Sequence, residues 1–182
     1  KGGPRESGFA GIALLVQRLP LPGKGSMGST EKSLSVVIPV YDEVDSVEEL
    51  AERVAGELDA LPLEGEIIFV DDGSRDGTGS KLDDLLARRP QLRVFHLRRN
   101  FGKAVALTVG FAEARGDLIL TLDGDLQDDP AEIPRMLDRL AEGYDVVSGW
   151  KAERQDPWHK VLPSRVFNFF TSTFSGLKLR DH

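Results

Sequence analysis

The stretch LTLDGDLQDDP, Leu120 to Pro130, gathers five carboxylate or carboxamide side chains into the seven positions from Asp123 to Asp129, directly after an apolar run. Two aspartates at i and i+2 of an extended segment project from the same side, so Asp123 and Asp125 can approach one hard cation together. Gln127 adds a neutral oxygen on that side. A magnesium or manganese ion held this way keeps open positions for substrate phosphates, the usual manner in which these ions meet diphosphates. Asp128 and Asp129 read differently: with Pro130 they mark the start of a helix, whose N-terminus favours acids.

Such a cluster needs rigid elements beneath it. From Leu34 onward, apolar β-rich runs alternate with helical patterns. LSVVIPV precedes a helix from about Ser46, EIIFV one from about Thr78, LRVFHL one from about Lys103 and DLILTL one from about Pro130; YDVVSGW closes the series. Continuously apolar strands separated by amphipathic helices predict a doubly wound α/β fold, a mostly parallel sheet with helices on both faces. Ligands of such sheets sit beyond the carboxyl ends of the strands. Those ends read PVYDE, VDDGSRDGT, RRNFGK and LDGDLQDDP, so acidic clusters converge on one rim.

Other readings of the acids fit less well. DGSRDGTGSKLD, Asp72 to Asp83, nearly matches a calcium-binding EF-hand loop, but a β-branched run precedes it where a helix is needed, and Gly79 stands where an aliphatic residue belongs. A phosphoacceptor receiver domain would leave the Asp-x-Asp after the fourth strand without a purpose. NFGKAVA is not a P-loop.

The 182 residues suit one domain with one core. Lys151 to His182 holds six basic and three acidic residues, a balance of +3, which leaves −10 for the remainder of a chain whose net charge is −7. An acidic body argues against nucleic-acid binding. The chain has no cysteine, and His96, His159 and His182 are too scattered to suggest a zinc site. Residues 1–32, rich in Gly, Pro and Ser, are expected to form a disordered leader or a remnant of upstream sequence, with Met27 a candidate start. The apolar patch in it, FAGIALLV, is far short of the roughly 20 residues that span a bilayer.

VVIPVYDE, VDDGSRDGT, RRNFGKAVAL and LDGDLQDDP, in this order and spacing, resemble the family-2 glycosyltransferases of GT-A fold. The resemblance is strongest to the branch acting on polyprenyl phosphates, dolichyl or undecaprenyl. It implies a nucleotide pocket lined by Pro39, Tyr41 and Glu43, with Asp71 and Asp72 near base and ribose, Lys103 and Gly124 beside the nucleotide-sugar, and Asp123, Asp125 and Gln127 at the metal. Read alone, Pro39 is a strand terminator and Lys103 opens the third helix. The family's chains continue through an Asp-x-x-x-Gly-Phe-like segment and often into membrane helices. Asp181 stands where that segment's aspartate would begin, and with Asp123 and Asp125 completes the implied catalytic set. Residues 33–182 are therefore expected to be a catalytic domain short of its C-terminal end.

The reaction implied is inverting transfer of a sugar from a UDP- or GDP-linked donor to a polyprenyl phosphate, on the cytoplasmic face of the membrane. A binding module without turnover, or transfer to a non-lipid glycan, are the alternatives. A phosphate acceptor is already ionised near neutral pH, so no strong general base is required, but fixed positive charge is. Arg154, Lys160 and Arg165 are the candidates for holding that phosphate. Their interleaving with Trp158, Phe167, Phe169, Phe170 and Phe174 suits a membrane interface. The charge split predicts that the tail approaches an anionic bilayer while the body avoids it.

Overall fold

Apolar runs that bury both faces become the inner strands of a layered sheet, and the continuous buried character of Leu34–Val40 and Ile67–Val70 has that result here. A computed structural model describes residues 15–18, 33–144 and 146–149. The elements are β1 Leu15–Arg18, β2 Ser33–Val40, α1 Val47–Ala60, β3 Glu64–Asp71, α2 Thr78–Leu86, β4 Leu92–His96, α3 Lys103–Glu113 and β5 Leu118–Thr121, then a 3-10 turn, Pro130–Glu132, leading into α4 Ile133–Ala141 and β6 Val146–Ser148. The strands form one sheet of order β4-β3-β2-β5-β1-β6. β4, β3, β2 and β5 run parallel, as expected of the α/β class.

β1 departs from expectation, since it lies inside the stretch 1–32 read as a disordered leader. It pairs antiparallel with β5, Leu15 opposite Thr121, and with β6, Leu15 opposite Ser148. The physical reason is the far edge of β5, whose N–H and C=O groups need partners once β2 has satisfied the other side. The four residues Leu15–Arg18 supply them. The overall Gly, Pro and Ser content of the leader hides so short a strand.

Helices cover both faces. On one, α3 lies over β2 and β3, where Ala106 packs with Val37, Ile68, Val70 and Ile119. The approach is close: a Cβ on Gly110 would come within 2.3 Å of Val37 Cγ1. On the other face α1 contacts β3 and α2, and α2 contacts β4. Burying a large aliphatic side chain in such a layer contributes about 1.5–3 kcal/mol.

A polar network at the amino ends of the strands anchors the far end of α3. Glu66 accepts hydrogen bonds from Ser35 Oγ at 2.6 Å, from the Arg115 backbone N–H at 2.7 Å and from Arg93 at 3.1 Å, while Ser35 Oγ accepts from Gly116 N at 2.8 Å. Burial favours the neutral acid, but these donors outweigh it and hold Glu66 below the ordinary carboxylate range. A lowered carboxylate pKa stabilises the fold above the unfolded value of about 4.5, and that stability is lost as pH falls through the folded value. Glu66→Gln should lower stability at pH 7 by about 1–2 kcal/mol and flatten the loss below pH 4.5. Urea unfolding at both pH values measures this, and identical acid limbs in the two proteins would contradict it.

Candidate functional site

Successive strands from β2 to β4 step one way across the sheet, and β5 then returns to the other side of β2. Outside the carboxyl ends of β2 and β5 the flanking loops diverge, which opens a crevice at this switch point. The site is built from the loops around it.

The loop after β2 is tied to the loop after β3. Asp42, at φ +55°, donates its N–H to Ser74 Oγ at 2.9 Å and accepts from Arg75 N at 2.8 Å. Glu43 N donates to Thr78 Oγ1 at 2.9 Å, and Val44 N to Asp76 Oδ2 at 3.0 Å. Local desolvation opposes the charge of exposed Asp76, but hydrogen bonds from Thr78 and Val44 prevail and lower its pKa. Asp72 and Asp76, the first and fifth positions of the EF-hand-like stretch, thus hold backbone amides rather than a cation.

Asp72 does the same one loop further on. It is 3% exposed, and its two carboxylate oxygens accept from the N–H groups of Phe101 and Gly102, each at 2.8 Å. Its own N–H donates to Val40 O at 2.9 Å, so one residue links the ends of β2 and β3 to the start of α3. Asp71, its neighbour, points elsewhere. Its Oδ1 accepts from Ser74 N at 2.9 Å and its Oδ2 lies 3.0 Å from His96 Nδ1, while His96 Nε2 lies 3.0 Å from Asp83 Oδ1. Partial burial disfavours the imidazolium, yet the carboxylates of Asp71 and Asp83 outweigh it and raise the pKa of His96.

At the end of β5, Asp123 receives an ion pair from Lys103 Nζ, and its backbone N–H donates to buried Asp128 at 2.9 Å. Gly124 fits because a Cβ there would stand 2.8 Å from Val40 Cγ1. Its carbonyl accepts from Ser46 Oγ at 2.8 Å, and the same hydroxyl lies 2.9 Å from Glu43 Oε2.

A cleft of about 230 Å3 results. Pro39, Tyr41, Glu43, Asp72, Lys103, Asp123, Gly124 and Asp125 all line it. Asp71 does not, because consecutive side chains of a strand alternate and Asp72 takes the cleft side. Gln127 does not line it either. Its backbone N–H donates to Asp125 Oδ1 at 3.1 Å, and the chain turns at Gly124 and Asp125 with Leu126 at φ +59°, so the extended alternation expected to keep positions 123, 125 and 127 on one side does not hold. Asn100 lines the cleft and was missed, although it belongs to the RRNFGK strand end. Arg154, Lys160, Arg165 and Asp181 lie outside the described residues.

Among the described residues no group of three or more His, Cys, Asp or Glu side chains converges as a cation cage. Asp123 and Asp125 nevertheless fit magnesium or manganese. They are hard oxygen donors on one wall of the cleft, and such ions commonly take one or two carboxylates and complete their shell with substrate phosphates and water.

Comparison with known proteins agrees with this class of site. The sequence profile of glycosyl transferase family 2 matches residues 35–181, and the chain belongs to that family. It is 41% identical over 150 residues to the undecaprenyl-phosphate 4-deoxy-4-formamido-L-arabinose transferase of Pseudomonas fluorescens strain SBW25, covering 82% of this chain and 44% of that protein. The protein of the same name from Pseudomonas aeruginosa strain LESB58 is 43% identical over the same length, with the same coverage. Mannosyl-3-phosphoglycerate synthase from Rubrobacter xylanophilus shares the fold, with a TM-score of 0.52 at 24% identity over 62% of this chain and 37% of that one. The α/β fold is of the GT-A kind. The chain spans less than half the length of the curated relatives it matches.

The Asp72 clamp gives a direct test. Asp72→Ala should cost about 2 kcal/mol of stability, since two backbone N–H groups lose a charged acceptor, and should weaken nucleoside diphosphate binding roughly tenfold, a loss of about 1.4 kcal/mol. Thermal unfolding and calorimetry on the variant check both. Unchanged melting and affinity would remove the clamp from the account.

Proposed function

We propose that this chain is the catalytic domain of a metal-dependent, inverting glycosyltransferase that moves a sugar from a nucleoside diphosphate sugar to a polyprenyl phosphate. The observation that carries this reading is the meeting of Asp123, Asp125 and Lys103 in one cleft with Tyr41 and Asp72, at the switch point of a GT-A sheet. The relatives named as undecaprenyl-phosphate sugar transferases support the acceptor class.

The chemistry follows from charge. A phosphate oxygen of the acceptor attacks the anomeric carbon as the bond to the donor's diphosphate breaks, and negative charge builds on the leaving group. Asp123 and Asp125 would hold a magnesium or manganese ion, which supplies Lewis-acid neutralisation of that charge when bound. Lys103 lies close enough to Asp123 to exchange its carboxylate for a diphosphate oxygen. Tyr41, exposed at the mouth, offers a ring on which a nucleobase can stack. Arg154, Lys160 and Arg165 hold the lipid phosphate in this reading, and Asp181 completes the catalytic set. Among the described residues no helix is long and apolar enough to cross a membrane. A peripheral position on the cytoplasmic face is part of the proposal.

Asp123→Asn should lower sugar transfer to polyprenyl phosphate by roughly 100-fold or more, the scale seen when one group stabilising transition-state charge is removed. Chelation should do the same. Full turnover in both cases would overturn the metal role, and nucleotide binding without any transfer would favour a binding module. Replacing Arg154, Lys160 and Arg165 together with Gln should raise the KM for the lipid and leave nucleotide affinity unchanged; the opposite pattern would place those residues at the donor.

A further inference from the structure

We infer that the body of the domain carries its own docking surface for an anionic lipid bilayer, formed by Arg98, Arg99, Phe101 and the outer face of α3 beside the cleft mouth. The net charge of the body conceals it.

The charge pattern is uneven. Arg53, Lys81, Arg88, Arg89, Arg93, Lys103, Arg135 and Arg139 each pair with a carboxylate. Arg98 and Arg99, both exposed, make no ion pair with another described residue. Arg75 shares their position beyond the carboxyl ends of the strands, and Arg115 lies at the opposite end of the sheet. Unpaired guanidinium groups thus gather on the rim where Tyr41, Lys103 and Asp125 open to solvent.

An apolar surface adjoins them. Phe101 is 40% exposed and Val105 42%, and Ala104, Thr108 and Ala112 continue the same helical stripe. From Ala104 to Ala112 the helix has no charged residue. The other helices differ: α1 turns Glu49, Glu52 and Arg53 outward, α2 turns Asp83 and Asp84, and α4 turns Asp138 and Arg139. Beyond Lys103, an outer face without charge on one of the four described helices marks a surface that meets something other than water.

The loop that presents Phe101 is held firmly. Asp72 binds the N–H groups of Phe101 and Gly102, a Cβ on Gly73 would come within 2.5 Å of the Arg99 carbonyl carbon, and the Arg99 guanidinium lies 4.8 Å from the centre of the Phe101 ring. An exposed aromatic and its cation are fixed together beside the cleft.

Charge selects the occupant. The chain's own segment from Lys151 onward carries a balance of +3, and a second copy of this face would bring arginine against arginine, so neither complements it. A leaflet rich in anionic headgroups does, and basic residues bordering an apolar helical stripe are the composition that settles at such an interface. Docked there, the cleft mouth opens at the headgroup level, where a polyprenyl phosphate presents its phosphate. The inference builds on the proposed lipid acceptor, but its test uses neither donor nor acceptor, so failure of one is distinguishable from failure of the other.

The experiment is sedimentation of the full chain with vesicles of phosphatidylglycerol and phosphatidylethanolamine, compared with phosphatidylcholine alone. Arg98→Gln with Arg99→Gln should weaken partitioning onto anionic vesicles by about tenfold or more, given the usual contribution of a basic residue at such a surface. Val105→Asp should weaken it several-fold with both arginines intact. Calorimetry with a nucleoside diphosphate should show unchanged affinity in both variants, which also confirms folding. Equal binding to neutral and anionic vesicles, or partitioning unmoved by both variants, overturns the inference. Loss of nucleotide affinity with vesicle binding intact would assign the arginines to the donor site and overturn it equally.

Discussion

Parallel strands end together, and their loops must be held against one another before any cleft between them has a shape. Here a buried carboxylate does much of that holding. Asp72 stands at the end of β3, takes its main-chain bond from β2 and clamps the amides that begin α3. The position of Lys103, Gly102 and Asn100 relative to Asp123 follows from that link. Because the groups bound are backbone N–H, an Asn in its place would turn an amide donor against one of them.

The strand-end acids divide by what they hold. Asp42, Asp71, Asp76 and Asp128 accept from backbone N–H groups, so their charge shapes loops, and Asp72 and Asp125 do so while also lining the cleft. Asp123, Asp125 and Glu43 face the cleft, and one of them already has a lysine beside it. In the proposed function a cation and the donor diphosphate join Lys103 in neutralising these charges.

Much of this was legible in the sequence because the fold depends on signals of adequate length. Inner parallel strands must be apolar on both faces, and helix starts at Thr78 and Lys103 are marked by glycines at the preceding positions, Gly77 and Gly102. What escaped was shorter or directional. β1 has only four residues and depends on the free edge of β5 rather than on its own composition. Asp71 and Asp72 are identical in type, and only the pleat decides which of them faces the cleft. Gln127 was placed by assuming that extended backbone continued past Asp125, whereas Leu126 adopts a left-handed conformation that leucine seldom signals. His96 joins Asp71 to Asp83 across three elements, a relation that no spacing of histidines reveals.

In the proposed function one cleft at the switch point takes a cation and a nucleoside diphosphate together. Backbone amide resonances of the isotope-labelled chain, recorded as manganese is added in the presence of uridine or guanosine diphosphate, test it most directly. The account predicts paramagnetic broadening centred on Gly124 and Asp125 and extending to Tyr41, Asn100 and Gly102, with little effect on Glu64–Glu66 and Arg115–Asp117 at the other end of the sheet. Broadening centred on that opposite end, or the same pattern and strength in the Asp123→Asn variant, would contradict it.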